Sequence, residues 1–382
     1  MLPLSLYIHF PWCVQKCPYC DFNSHAIKNS GVPEEIYIDR LILDFEQDLP
    51  LILDRDRPLI SIFMGGGTPS LFSPKALSRL LKHIESRLKF SSTIEITLEA
   101  NPGTIERGKF QEYFDIGINR ISLGVQSFNN NHLKKLGRIH GSMEACRAIE
   151  EIYQAGFNTF NLDLMHGLPN QTPEEAFEDL KQALSFDPPH LSWYQLTLEP
   201  NTLFYAKPPV LPSEEILEII ETKGLDLLKN KNLTRYEISA YSKQNHESQH
   251  NKNYWEFGDY LGIGAGAHGK LSDPIKQIIV RTTKKKHPKD YLECSQNLLQ
   301  ESREIPESER PFEFLLNTLR LINGVENNLF LPRTFLPIQT ISNPINLLRE
   351  QGLIQPDKLA TTPLGLRYLN SVLEKFLSLS KD

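Results

Sequence analysis

Three of the five cysteines fall within eight residues, Cys13-Val14-Gln15-Lys16-Cys17-Pro18-Tyr19-Cys20. Thiolates are the soft ligands that zinc, copper(I) and iron–sulfur clusters select. Three on one short loop can hold three irons of a cubane cluster and leave the fourth iron open. The same residues also permit zinc. Structural zinc wants four ligands, usually as two spaced pairs, and no second Cys-x-x-Cys exists, so His9 or His25 would have to complete the set. A redox pair fits less well, because no thioredoxin-like context surrounds the cysteines. Cys146 and Cys294 stand alone; Cys146 has apolar helical spacing around it, and both read as core residues.

The elements that must position this loop are strands and helices in alternation. Apolar runs at Leu4–Phe10, Leu59–Met64, Ile94–Glu99, Arg120–Gln126, Thr159–Met165 and His190–Leu198 are each followed by amphipathic segments. Those segments lie at about Pro33–Leu53, Ser73–Lys89, Glu106–Asp115, Ser142–Ala155, Thr172–Phe186 and Ser213–Lys229. Two carry clear start signals: Ser73 before Pro74, and Thr172 with Glu175 as a capping box. Six such units predict an α/β fold with a parallel sheet and right-handed crossovers. A partial or complete TIM-like (β/α) barrel fits better than an open doubly wound sheet, because no dinucleotide fingerprint follows the first strand.

In such an architecture functional groups collect at the C-terminal ends of the strands. Here those ends carry the cysteines, the triple glycine Gly65-Gly66-Gly67, Glu99, Gln126, Asp163 and Glu199. Burying such polar groups unpaired would cost a few kcal/mol each, so their convergence points to a site.

Thr234–Tyr241 reads as one more strand, Lys284–Lys286 as a solvated loop, and the chain from about Glu309 as a small, mainly helical, winged-helix-like module. Gly262-x-Gly264-x-Gly266 lacks a strand–turn–helix setting, so it reads as close backbone passage rather than a nucleotide loop. The whole chain has 382 residues, 40% hydrophobic and 23% charged, which excludes wholesale disorder. A net charge of −6 argues against nucleic acid as a partner. No apolar run approaches the roughly 18 residues of a membrane helix. The N-terminus lacks a signal-peptide pattern, and the cytoplasm, where thiols stay reduced, is the expected compartment.

Tyr7-x-His9-x-Pro11-x-Cys13-x3-Cys17-x-Tyr19-Cys20 resembles the signature of the radical S-adenosylmethionine (SAM) superfamily. In that superfamily three cysteines bind a 4Fe-4S cluster, SAM chelates the open iron, and reductive cleavage yields a 5′-deoxyadenosyl radical. Gly65-Gly66-Gly67-Thr68-Pro69 is similar to its GGGTP element, whose glycines would admit a ligand close to the backbone and whose amides and carbonyls would meet the methionyl group. More narrowly, Glu99-Ala100-Asn101-Pro102, Leu123–Phe128, Leu136-Gly137-Arg138-x-His140, Asp163–Pro169 and Thr361–Gly365 resemble the oxygen-independent coproporphyrinogen-III oxidase group. The resemblance implies cluster ligands Cys13, Cys17 and Cys20. It also implies SAM contacts from Tyr7, Tyr19, Gly66, Gly67, Thr68, Glu99, Gln126, Arg138 and Asp163.

Within that group the heme-chaperone branch is the better match. Phe22 stands where the oxidase signature has a further cysteine, and the oxidase's N-terminal extension has no counterpart before Tyr7. His250-Asn251-Lys252-Asn253-Tyr254-Trp255 matches the HNxxYW motif of the chaperone branch. It implies heme bound at His250, Tyr254 and Trp255: an imidazole can ligate heme iron and the aromatic rings offer flat apolar surface. His246, His268 and His287 lie in the same half of the chain, so the ligand stays open. The expected organisation is a radical-SAM barrel over 1–240, a connecting segment over 241–305 and a helical module over 306–382. The expected partners are heme and an acceptor hemoprotein, for example a respiratory one. A homodimer and peripheral membrane association are compatible with the resemblance, and coproporphyrinogen oxidation is the alternative activity.

Overall fold

The computed structural model describes residues 2–27, 31–104 and 108–377. Six parallel strands follow one another along the chain: β1 (Leu4–Phe10), β2 (Leu59–Gly66), β3 (Phe90–Ala100), β4 (Arg120–Gln126), β5 (Phe160–His166) and β6 (His190–Gln195). Helices α1 (Glu34–Asp48), α2 (Pro74–Arg87), α3 (Lys109–Asp115), α4 (Ser142–Gln154), α5 (Pro173–Ser185) and α6 (Glu214–Lys229) alternate with them. Ser73 accepts the Ala76 amide at the start of α2, and Thr172 and Glu175 cap α5 reciprocally. The helix expected from Glu106 begins at Lys109, and Glu106 itself lies outside the described residues.

Thr234–Tyr241 is not one strand but a hairpin, β7 (Thr234–Glu237) and β8 (Ala240–Ser242), with β8 antiparallel to β6. The Glu237 carboxylate closes its turn by accepting from the Ser239 amide and hydroxyl, both at 3.0 Å. Residues 241–305 supply helix α7 (Gln249–Trp255) and four more strands, β9 (Asp259–Ile263), β10 (His268–Asp273), β11 (Ile278–Lys284) and β12 (Leu299–Glu304). β9 pairs parallel with β1, and β10–β12 continue antiparallel as a flange. One sheet results, in the order β12-β11-β10-β9-β1-β2-β3-β4-β5-β6-β8-β7. Its two edge strands do not meet, so the barrel is partial.

Alternate residues of each central strand face opposite ways. Leu4, Leu6, Ile8 and Phe10 enter the main apolar core beneath the helices. Register places the other set side by side: Ser5 by Ser61, Ser61 by Glu95, Glu99 by Ser122, Gly124 by Asp163, and Asp163 by Ser192. A parallel sheet covered on both sides normally reads as continuous apolar runs. Here the concave face is polar, and that face holds the site.

Three expectations are corrected. Lys284 is not in a solvated loop: it ends β11 with a side chain 1% exposed, 2.6 Å from Asp44 and 2.7 Å from Asp48. Cys146 is only half-buried, with its sulfur 3.9 Å from Gln182 Nε2. Cys294 packs at the margin of the core rather than within it.

A second core gathers Phe314, Leu315, Leu348, Val372 and Phe376 from the C-terminal helices Arg310–Thr318, Ser342–Glu350 and Leu369–Leu377. Short antiparallel bridges, Val325 to Leu359 and Ile354 to Thr361, complete this module. Phe257 and Ile279 of the flange region belong to the same core.

Candidate functional site

The cysteine loop is tied at both ends. Trp12–Cys13 pairs with His25–Ala26 in a two-residue parallel ladder, and the Cys20 amide bonds the Cys17 carbonyl at 3.1 Å. Asn23 anchors the far side: its Nδ2 donates to the carbonyls of Ala265 (2.9 Å) and Lys286 (2.8 Å), and its own carbonyl meets His9 Nε2 at 2.9 Å. His9 Nδ1 meets the Tyr7 hydroxyl, and His25 Nε2 meets Asn23 Oδ1. Both candidate fourth ligands for zinc are thus already engaged. Among the described residues no three His, Cys, Asp or Glu side chains converge as a single ion would require.

The donor set suits a cluster. Cys13 is buried while Cys17 and Cys20 are partly open, and Arg138 Nη1 lies 3.7 Å from the Cys17 sulfur. Burial pushes the Cys13 thiol up to about 11, and Cys20 also upward. Soft iron is the natural counter-charge for such thiols once they ionise.

These thiols open into a cavity of about 320 Å³. It brings together Tyr19, Gly66, Gly67, Thr68, Glu99, Gln126, Arg138 and Asp163 with all three cysteines. Tyr7, predicted alongside them, lines a neighbouring cavity instead.

The triple-glycine turn works differently from the sequence reading. The amides of Gly66, Gly67 and Thr68 are committed to Glu99 Oε2, the Phe10 carbonyl and the Trp12 carbonyl. A Cβ at Gly67 would stand 2.4 Å from the Trp12 carbonyl oxygen, and at Gly66, whose φ is +110°, 2.4 Å from the His9 ring. The glycines let the exits of β1 and β2 cross. For a ligand the turn has acceptors to offer, not amides.

Glu99 is pushed up to about 8, first by burial and then by the Asp163 charge. Burial raises Asp163 as well, against hydrogen bonds from Asn161 (2.8 Å) and Ser122 (3.1 Å). Two neighbouring carboxyls that resist ionisation are prepared for an arriving cation. Arg138 donates to the Gly124 carbonyl at 2.8 Å, and its Nε is buried without a partner. Gln126, at φ +69°, accepts from the Tyr194 hydroxyl at 2.8 Å. Ser122, Ser192 and Tyr194 also line the cavity and went unread in the sequence. Nothing in their own residue types marks them, although Glu95-x-Thr97-x-Glu99 and Asn161-x-Asp163 show the polar alternation of the neighbouring strands.

α7 packs inside the curl of the sheet. Ser248 caps it, and the buried Glu95 carboxylate accepts the amides of Gln249 and His250, both at 3.1 Å. A buried anion at a helix N-terminus satisfies orphan donors and the helix dipole together. His250 is 2% exposed, with Nδ1 3.0 Å from Ser61 Oγ and Nε2 unpartnered; Phe63 stacks at 5.1 Å and Tyr254 stands edge-on at 5.0 Å. Asn253 bonds Ser5 Oγ and the Asp259 carbonyl. Tyr254 reaches the second cavity, and Trp255, under the Arg320 guanidinium at 4.4 Å, reaches the first. The motif's residues therefore divide between two cavities and the protein interior.

A model of the radical SAM superfamily matches residues 7–183. The heme chaperone HemW of Haemophilus influenzae is 50% identical over 98% of each chain, and that of Escherichia coli 48% over 98% of each. The chain belongs to the HemW family. In fold it is similar to the Escherichia coli coproporphyrinogen III oxidase HemN, with a TM-score of 0.82 over 98% of this chain and 90% of that one, at 22% identity. The HemW branch and the oxidase thus share a scaffold. In this HemW-family chain Phe22, 58% exposed, lines both cavities where they adjoin.

Proposed function

We propose that this protein binds heme and passes it to acceptor hemoproteins, on a scaffold that carries a 4Fe-4S cluster and SAM. The observation that carries this reading is the end-to-end similarity to proteins named heme chaperone, 50% identity over 98% of both chains. The likeness to the oxidase, at 22% identity, speaks for fold alone.

Cys13, Cys17 and Cys20 hold the cluster, and when bound the cluster with SAM supplies one-electron chemistry. Glu99, assisted by Asp163, would receive the ammonium or ribose hydroxyls of SAM, and Arg138, beside the Cys17 sulfur in the same cavity, would pair with its carboxylate. Tyr19, Gln126 and Thr68 complete the walls. α7 marks the heme region, with Tyr254 offering an aromatic face. Free ligand thiols suit the reducing cytoplasm, and no helix among the described residues is long and apolar enough to cross a membrane.

Titration of the purified protein with heme, followed by the Soret band, should show stoichiometric uptake. The loaded protein should then reconstitute an apo-hemoprotein. Coproporphyrinogen given with SAM and reductant should remain unconverted. Absence of heme uptake, or accumulation of protoporphyrinogen, would defeat the proposal.

A further inference from the structure

We infer that heme occupies the second cavity, between α7 and the flange β9–β12, with His268 supplying the imidazole to its iron. This rests on the heme-binding reading above and deepens it by naming the site.

The cavity encloses about 630 Å³, within the roughly 300–1,000 Å³ typical of small-molecule sites. Its walls are aromatic where a macrocycle needs flat apolar contact: Tyr7 from β1, Tyr254 from α7, Tyr260 from β9 and Phe22 from the cysteine loop. The Tyr254 and Tyr260 rings lie 4.1 Å apart, tilted by 43°, as two adjoining parts of one wall.

His268 opens β10 at the cavity rim, exposed, and its ring makes no hydrogen bond among the described residues. The other histidines there are less available. His9 has both nitrogens engaged, by Tyr7 and by the Asn23 carbonyl. His250 has an unpartnered Nε2, but its ring is enclosed by Phe63, Tyr254 and Tyr7. A porphyrin plane needs an open face in front of the ligating nitrogen, and of these three histidines His268 has one. Lys286 lines the same cavity, exposed and with no carboxylate partner among the described residues, so its ammonium can take a propionate. Lys284 cannot, because Asp44 and Asp48 hold it. Gly66, Glu99 and Phe22 line both cavities, which places the heme edge beside the SAM cavity.

The test is heme titration of the full chain as wild type, His268→Ala, His250→Ala and Lys286→Ala, with iron and sulfide content as the control for folding. Each complex is examined by Soret position and by electron paramagnetic resonance of the ferric state. His268→Ala should lose the histidine-ligation signature and bind at least tenfold more weakly, and added imidazole should restore the signature. His250→Ala should keep it, and Lys286→Ala should weaken binding without changing it. A His268→Ala protein with wild-type spectrum and affinity overturns the site while leaving the heme-binding reading standing. So does loss of the signature in a His250→Ala protein with full cluster content. A wild-type protein that takes no heme overturns both.

Discussion

Glu99 owes its chemistry to what shares its cavity. Held near 8 by burial and by Asp163, it is largely protonated at pH 7. A ligand ammonium needs the carboxylate and loses its own proton at about pH 8, so SAM affinity of the cluster-loaded protein should rise several-fold between about pH 6 and 7.5, and Glu99→Gln should flatten that rise. Calorimetric titrations across this range check it through the difference between the two slopes. Folding stability should follow the opposite trend. Native Glu99 holds its proton more tightly than the unfolded chain does, so stability falls as pH rises from the ordinary carboxyl range to about 8. The cysteines answer more simply. With three protein ligands per cluster, replacing Cys13, Cys17 or Cys20 by Ala should each abolish assembly, read as iron and sulfide after anaerobic reconstitution. At this scale the cluster loop and the cavity-lining strand ends could be read from residue type and spacing. Tyr194, Ser122 and Asn23 could not, because each matters through a partner distant in sequence: Gln126, Asp163, and the carbonyls of Ala265 and Lys286.

Among the elements, the alternation of strand and helix was readable because each crossover carries its own periodicity and several carry caps. The flange was not. Its strands are short, antiparallel and interrupted by Gly262, Gly264 and Gly266, which sit where a side chain would strike His268, His9 or Asn23. Lys284 shows why composition misled: three consecutive lysines look solvated, yet strand pleating turns the first inward against Asp44 and Asp48. Breaking a buried ion pair by removing one partner costs about 3–5 kcal/mol. Lys284→Ala should therefore lower the urea midpoint by that equivalent, whereas Lys285→Ala and Lys286→Ala should stay within about 0.5 kcal/mol of wild type. Three equal midpoints would mean that Lys284 contributes no more than its neighbours.

Across the whole molecule, the C-terminal module is bound into the sheet rather than appended to it. Its core includes Phe257 and Ile279, which lie outside the 306–382 stretch. Arg333 donates to the Glu256 carbonyl at 3.0 Å just beyond α7, and Arg320 both pairs with Glu237 and covers Trp255. Removing the module would bare the apolar side of the flange and unseat the end of α7, which separates the two cavities. A chain ending at residue 305 should consequently aggregate. The route of failure is specific: the exposed surface is Phe257, Ile279 and Ile305, all buried in the intact chain. Substituting Phe257 and Ile279 by polar residues in the truncated chain should recover solubility in part, as size-exclusion chromatography would show. Heme binding should not return with it, because Arg281, which holds the Tyr260 hydroxyl at 2.6 Å behind Tyr254, would have lost its Glu313 partner. A soluble, heme-competent 1–305 fragment would show that the two cores are independent and that the cavity wall is set by the sheet alone.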